Sequence, residues 1–549
     1  MRKLIELGRS QRGVALITVI LMVVVLLILA GALLDSTVSE AQGIGANGVS
    51  NQALNAAYAG VDDMVLKLEE NTSGTNVGVP NPFTTTMNGD GVYASQYSVS
   101  VTKQWSPSAN FQYFLIESKG TAGLPLGGPL EPVRTVDALV RTQPFSSYEM
   151  YSISEVNNFG GTVYYTAAQH YDGAVYSGGP MNIMYNANGG AIFQAGVDTA
   201  VAPNYRDVNF NPGQPPNCST IDGTVGCSQM NVGGSPKALP TFLDNLLVAS
   251  EAYYGDATHN SQNPPSPATN GLYINQALPN GANGGALATG MYIEGDVTIY
   301  ALGNTTGVNK QYYIFQVTGG PTYDVAIDFN AGGGVGTTTV VSGGKTTIYT
   351  GVASGQPTGG SGGNGSIFVN GNVTIGGGTD STGTVAKPAI GATIHGSYTI
   401  GVPDYITNHA DNITLNKSIT DLDPSSDDVL ALWANDIKVN NTTDTTVNVD
   451  ALMLTGYYGE CTITTCNDGT LLNKSCTATT CGGGAGRDLN ILGSLVENVR
   501  GKLGTAVVGA TTCATGFCRQ MTYDNRLGSK PPPFSPTTNK YQIIALQYK

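Results

Sequence analysis

Eight cysteines carry the most specific chemistry in the sequence: Cys218, Cys227, Cys461, Cys466, Cys476, Cys481, Cys513 and Cys518. They fall into four local pairs, and an even count in an exported chain favours disulfides over free thiols. Neighbour pairing is the simplest of 105 connectivities for eight cysteines. Each small loop would then stiffen a hairpin or a loop tip more than it stabilises the whole fold. Zinc would need Cys461, Cys466, Cys476 and Cys481 to converge, and CxxxxC spacing is wide for a structural zinc site. The four histidines, His170, His259, His395 and His409, show no HExxH or similar ligand spacing. The densest acidic group is Asp421, Asp423, Asp427 and Asp428 in DLDPSSDD. Such an oxygen-rich loop is a calcium candidate, but it lacks the loop glycine and terminal glutamate of an EF-hand. A solvated loop capping the next element is the preferred reading. Asp423 and Asp427 as an acid/base pair have nothing to fix their separation. No GxSxG or P-loop motif is present, and the GxG stretches lack the strand–helix context of a nucleotide site. These residues predict no cofactor, no resident metal and no enzyme.

The chain that must position them has 549 residues and a formal charge of −14. That balance argues against a nucleic-acid surface, which needs a basic face. Charged residues are 12% of the chain and glycine numbers 73, so Asn, Thr, Ser and Gly must carry the polar surface. This is the composition of a secreted β-rich protein. Tyrosine outnumbers phenylalanine, 28 to 13, which suits an exposed and adhesive face.

One segment is of another kind. Val14 to Leu34 forms an apolar run interrupted only by Thr18 and Gly31, long enough as a helix to cross a bilayer core. Arg2, Lys3, Arg9 and Arg12 precede it against the single acid Glu6. That flank is expected to stay cytoplasmic, leaving everything after Asp35 outside. The apolar core of a cleaved secretory signal is usually shorter, although Ala30-Gly31-Ala32 would pass as a cleavage site. Beyond it, Leu54, Ala57, Tyr58, Val61, Met64, Val65 and Leu68 recur at helical spacing. Three glycines in GIGANG, Gly43 to Gly48, weaken a helix by roughly 1 kcal/mol each and predict a flexible joint between the two helical stretches.

Arg12-Gly13-Val14-Ala15-Leu16-Ile17-Thr18, the apolar helix, and Gln52-Ala-Leu-Asn-Ala-Ala-Tyr-Ala-Gly-Val61 resemble the start of a PilX-type minor type IV pilin. The segment is also similar to the large tip pseudopilin of type II secretion. The resemblance covers about the first 70 residues. It implies cleavage by prepilin peptidase between Gly13 and Val14, methylation of the new N-terminus, and partners among other pilins and the inner-membrane assembly machinery. Major pilins carry a glutamate at the fifth mature position, where it neutralises a neighbour's N-terminus; here that position is Thr18. A buried ammonium facing a hydroxyl costs several kcal/mol, so the subunit is expected at a tip or as an initiator. Near the other end, Ile491 to Gly501, Tyr523-Asp-Asn-Arg526, Pro531-Pro-Pro-Phe-Ser-Pro536 and Tyr541 to Leu546 resemble the ends of large surface proteins with such N-termini. Physically, the Pro-rich segment should clamp a last turn, with Arg526 pairing with Asp524 or another carboxylate.

The rest divides by pattern. YASQYSVSV, NFQYFLIESKG and VRTVDALVR alternate apolar and polar residues and predict an antiparallel sheet laid on the amphipathic helix. Further on, Ile293-Glu-Gly-Asp-Val-Thr-Ile299, Val369-Asn-Gly-Asn-Val-Thr-Ile375 and Ile394-His-Gly-Ser-Tyr-Thr-Ile400 share one grammar, with Leu432–Val439 a looser copy. Repeats of this kind predict a parallel β-helix or similar solenoid, with an irregular β-sandwich as the alternative. The expected organisation is a leader at 1–13 and a transmembrane or fibre-core helix at 14–34. An α+β pilin-like unit follows at 35–145, then a mainly-β region at 146–549. The expected function is a minor pilin-like structural protein of a type IV pilus or related fibre. It would sit in the inner membrane before assembly and at the cell surface after it, priming assembly or mediating adhesion to a surface or host ligand. The alternatives are a permanently anchored binding module or β-helix carbohydrate enzyme, and a type II secretion tip pseudopilin.

Overall fold

A computed structural model describes residues 2–70, 82–87, 94–104, 112–123, 132–166, 169–184, 191–207, 209, 212, 230–233, 270–274, 290–304, 310–329, 336–350, 364–376, 391–402, 411–425, 428–440, 444–456, 470–482, 485–506 and 513–549. The chain forms two compact units. The first comprises Met1–Ser106, Gln112–Arg141 and Tyr541–Lys549, and the second Pro107–Phe111 and Thr142–Lys540. The expected boundary at 145 assigned the last strand to the β region, whereas Tyr541–Lys549 belongs to the first unit.

The first unit is one helix on one antiparallel sheet. Arg2–Glu70 is a single helix, so the joint expected at Gly43 to Gly48 is absent. Nucleation is paid once, and helix on both sides carries the weak turn. Ala53, Ala57, Val61, Met64 and Leu68 recur every three or four residues and are at most 2% exposed, because that stripe lies on the sheet. Facing it are Tyr97, Val99, Val101, Phe114, Ile116, Val136, Ala138 and Val140, alternate residues of the predicted strands Ala94–Gln104, Tyr113–Gly123 and Val133–Pro144. Phe83–Met87 adds one edge and Thr537–Tyr548 the other. Lys549 exchanges two main-chain hydrogen bonds with Thr135 and pairs with Asp137. The Tyr541 N–H donates to Glu69 on the helix.

In the second unit three parallel ladders share one apolar interior. The chain runs through Asn364–Asn370, Val373–Ile375 and Gly391–Ile394, then Ser397–Val402, Asn412–Leu415 and Ser418–Asp421. Each strand of the second set lies parallel beside its counterpart in the first. Val297, Val373, Ile413, Ile437 and Leu471 therefore stack in register, all at most 2% exposed. β-Branched residues suit such a column, since identical pleats repeat every ~4.8 Å. The repeat grammar has a mechanical meaning. Gly295 and Gly371 occupy the same bend with φ of +95° and +148°, backbone that L side chains avoid. Ile293 pairs with Val369 and Ile299 with Ile375. The Ile394 copy bends at Gly396 but connects a different pair of ladders, since Ser397 pairs with Asn364.

Strand order carries a further surprise. Along the longest ladder, Met230–Val232, Val197–Thr199, Ala174–Ser177 and Tyr148–Asn157 stack outward from Arg487–Arg500, with the later strands on its other side down to Gly271–Ile274. Chain segments 345 residues apart in sequence thus meet side by side in the middle, Leu495 beside Met150 and Val496 beside Tyr151.

Candidate functional site

Gly13 and Val14 lie within the Arg2–Glu70 helix. Thr18 is exposed on it. Fifteen large apolar side chains from Leu16 to Leu34 are 47–67% exposed. The helix is long and apolar enough to cross a membrane, with a mean hydropathy of 3.2 in a window that is wholly uncovered. Covering those side chains is worth on the order of 20–45 kcal/mol, which makes the helix a candidate membrane anchor.

Cys476–Cys481 and Cys513–Cys518 are disulfide-bonded neighbours, while Cys218, Cys227, Cys461 and Cys466 lie outside the described residues. The acidic group does not converge on one point. Asp421 is gripped by Arg526 at 2.5 Å, and Arg526 also holds Asp524 at 2.6 Å and the Asp428 carbonyl at 2.8 Å. Asp428 instead faces His395 Nδ1 at 3.0 Å and accepts from the main-chain N–H groups of Gly396 and Asp423. Asp423 accepts from the N–H and hydroxyl of Ser425, which hold its carboxyl below the usual range. Asp427 lies outside the described residues. Among those described, no three His, Cys, Asp or Glu side chains are grouped to hold a metal ion. Arg526 therefore takes both partners foreseen for it, Asp524 and a second carboxylate, and fastens the Pro-rich segment's neighbour to the ladder.

Two features escaped sequence reading. The first is a cleft of about 430 Å³ on the outer face of Ser418–Asp421, Thr446–Thr455, Arg487–Arg500 and Cys513–Tyr523. Its floor carries Asn448, Asn490 and Gln520 in register, with Asp450, Leu492 and Thr522 in the next row and Thr420 at one end. Asn490 donates its amide to Asn448 at 2.9 Å. Asp450 accepts the Asp421 N–H, and burial raises its carboxyl. Alternation in TVNVDALML was the available signal, since Val447, Val449 and Ala451 point into the core. What it could not give was the register that lines up the polar residues in between.

The second is a buried ionic network at the meeting of the two chain segments. Arg500, 2% exposed, donates to Glu155 at 3.2 Å and to the Tyr165 hydroxyl at 2.7 Å, and lies 3.4 Å from Glu497. Glu155 also accepts from Ser177 and Tyr165, each at 2.9 Å. Glu497, fully buried, accepts from the Leu471 and Gly501 N–H groups and faces Arg519.

Burial also pushes Glu149 up to about 7, against the pull of the Gly173 N–H, and Asp421 up to about 7 against the pull of Arg526. Raised acid pKa values mean that the folded state keeps protons the unfolded chain has released. This contribution to stability is complete below the unfolded values near 4 and is lost as pH rises through 7. Each group is worth roughly 3–4 kcal/mol over that window. The second unit should therefore melt at a higher temperature at pH 5 than at pH 8. Glu149→Gln should flatten that slope in a calorimetric pH series; an unchanged slope would refute the assignment.

Against family models, curated proteins and solved structures, the chain has no match.

Proposed function

We propose that this chain is a minor, pilin-like structural subunit that carries a large displayed β body into a type IV pilus or related fibre. One observation carries the reading: a single helix that is bare apolar surface over Leu16–Leu34 and lies on an antiparallel sheet over Ala53–Leu68. In the proposed cycle, prepilin peptidase removes residues 1–13. The Val14–Leu34 segment holds the chain in the inner membrane with its basic flank cytoplasmic, and neighbouring pilin helices later replace the lipid. Thr18, standing where a glutamate would compensate a neighbour's N-terminus, supports a position at the tip, priming assembly, mediating adhesion, or both. The body is read as a three-faced parallel β-solenoid, supported by the ladders and the stacked apolar column. Its work is structural and adhesive, not catalytic, and the carboxylates at Asp421 and Asp428 serve as fasteners.

The test is N-terminal mass spectrometry of the chain from its native cell and from a strain without prepilin peptidase. Processing should yield a methylated Val14 terminus, and the peptidase-null strain should retain Met1 or Arg2. An intact leader in both strains, with no chain in sheared fibres, would leave a permanent membrane anchor in its place.

A further inference from the structure

We infer that the cleft over Asn448, Asn490 and Gln520 is a binding site for an extended, uncharged glycan. The inference rests on the adhesive half of the proposed function and names the ligand class for it. The floor of the cleft is a lattice of hydrogen-bonding groups at strand spacing. Four neighbouring strands contribute, so the lattice extends over roughly 14 Å, three spacings of ~4.8 Å each. One row runs Asn448, Asn490, Gln520 and the next Asp450, Leu492, Thr522. Primary amides both donate and accept, threonine hydroxyls do the same, and Asp450 accepts only. That mixture complements vicinal hydroxyls, which also donate and accept.

Charge narrows the class further. Among the described residues the lining contains no Lys or Arg, which disfavours a site built for phosphate, sulfate or uronate. Its one carboxylate, Asp450, is raised by burial and feels the positive field of Arg526, which disfavours a cationic peptide. Repetition then favours a polymer over a monosaccharide. Asn490 is already tied to Asn448, so these two amides are held in place before any ligand arrives, which limits the ordering cost of binding. A pyranose chain lying across the strands repeats its hydroxyls at close to the strand interval, one ring per strand. The volume of about 430 Å³ falls in the range of small-ligand clefts.

The experiment titrates the full-length chain in detergent micelles with neutral glucan, mannan and galactan oligosaccharides of about three to six hexoses, a length matched to the ladder, read by saturation-transfer NMR and calorimetry. At least one series should bind with a Kd below ~1 mM, and its monosaccharide at least about tenfold more weakly. Gln520→Ala should weaken binding about fivefold, the loss of one or two hydrogen bonds. Gln520 and Thr522 are both exposed, so neither change threatens folding, and Thr522→Arg should block the cleft outright. Binding by none of the three series at ~5 mM, binding unaffected by Thr522→Arg, or equal competition by oligolysine or heparin would overturn the inference. The readouts are separable: unprocessed protein that still binds glycan sinks only the fibre reading, and processed fibre protein that ignores every glycan sinks only this one.

Discussion

Arg500→Met should lower the stability of the second unit by about 3–5 kcal/mol, the usual result of removing one member of a buried ionic group. The guanidinium joins Glu155 to Glu497, two carboxylates on chain segments that meet only in the folded state. Without it, Glu155 is left buried with no guanidinium beside it, and Glu497, already raised by burial, keeps Arg519 alone of its two arginines. Hydrogen exchange should show where the loss falls. Amides of Tyr148–Asn157 and of the second half of Arg487–Arg500 should lose protection first, because their shared ladder is the junction. A double variant, Arg500→Met with Glu155→Gln, should recover part of the loss, since Glu155 is then uncharged and Glu497 keeps Arg519. A single variant within about 1 kcal/mol of the parent would show that the network is dispensable.

Gly120→Val should detach the helix from its sheet. A Cβ at Gly120 would lie 1.9 Å from the Ala53 carbonyl oxygen and 2.5 Å from the Ala57 nitrogen. Helix backbone cannot move aside without lifting the whole stripe of Ala53, Ala57, Val61 and Met64. The expected loss exceeds about 3 kcal/mol, visible as rapid proteolysis within residues 50–70 while the second unit still melts cooperatively. The control is Gly43→Ala. Its added methyl meets nothing within 4 Å, and it should strengthen the helix by roughly 0.5–1 kcal/mol. Two glycines of one unit thus predict opposite signs. If Gly120→Val resists protease like the parent, the close helix–sheet approach is wrong.

What could be read in advance followed periodicity. The apolar run, the stripe from Leu54 to Leu68 and the three strands between Ala94 and Pro144 each repeat at the period of their element, and each forms where its pattern places it. The glycines at 43, 45 and 48 misled because propensity is local and small, whereas a long helix is cooperative. Cys476–Cys481 and Cys513–Cys518 were legible as neighbours because so few residues separate them. The cleft and the Glu155–Arg500–Glu497 network were not, for one shared reason. Both are made by register between strands far apart in the chain, and nothing local to Asn490 or Arg500 records which residue lies beside it. His395 illustrates the same limit. It follows directly after a strand, yet its partner Asp428 comes from the acidic loop that read as a solvated cap.

The return of Tyr541–Lys549 to the first unit sets a clock on biogenesis. Arg141 and Gln542, hydrogen-bonded in the finished sheet, are 401 residues apart. At ~5–20 residues per second of synthesis, the strand Val133–Pro144 waits on the order of 20–80 seconds for its neighbour. Throughout that interval its open edge can pair with any passing strand. A nascent chain halted anywhere in the β body leaves that vacancy permanent, so completion of the first unit's sheet reports that translation has passed the whole body.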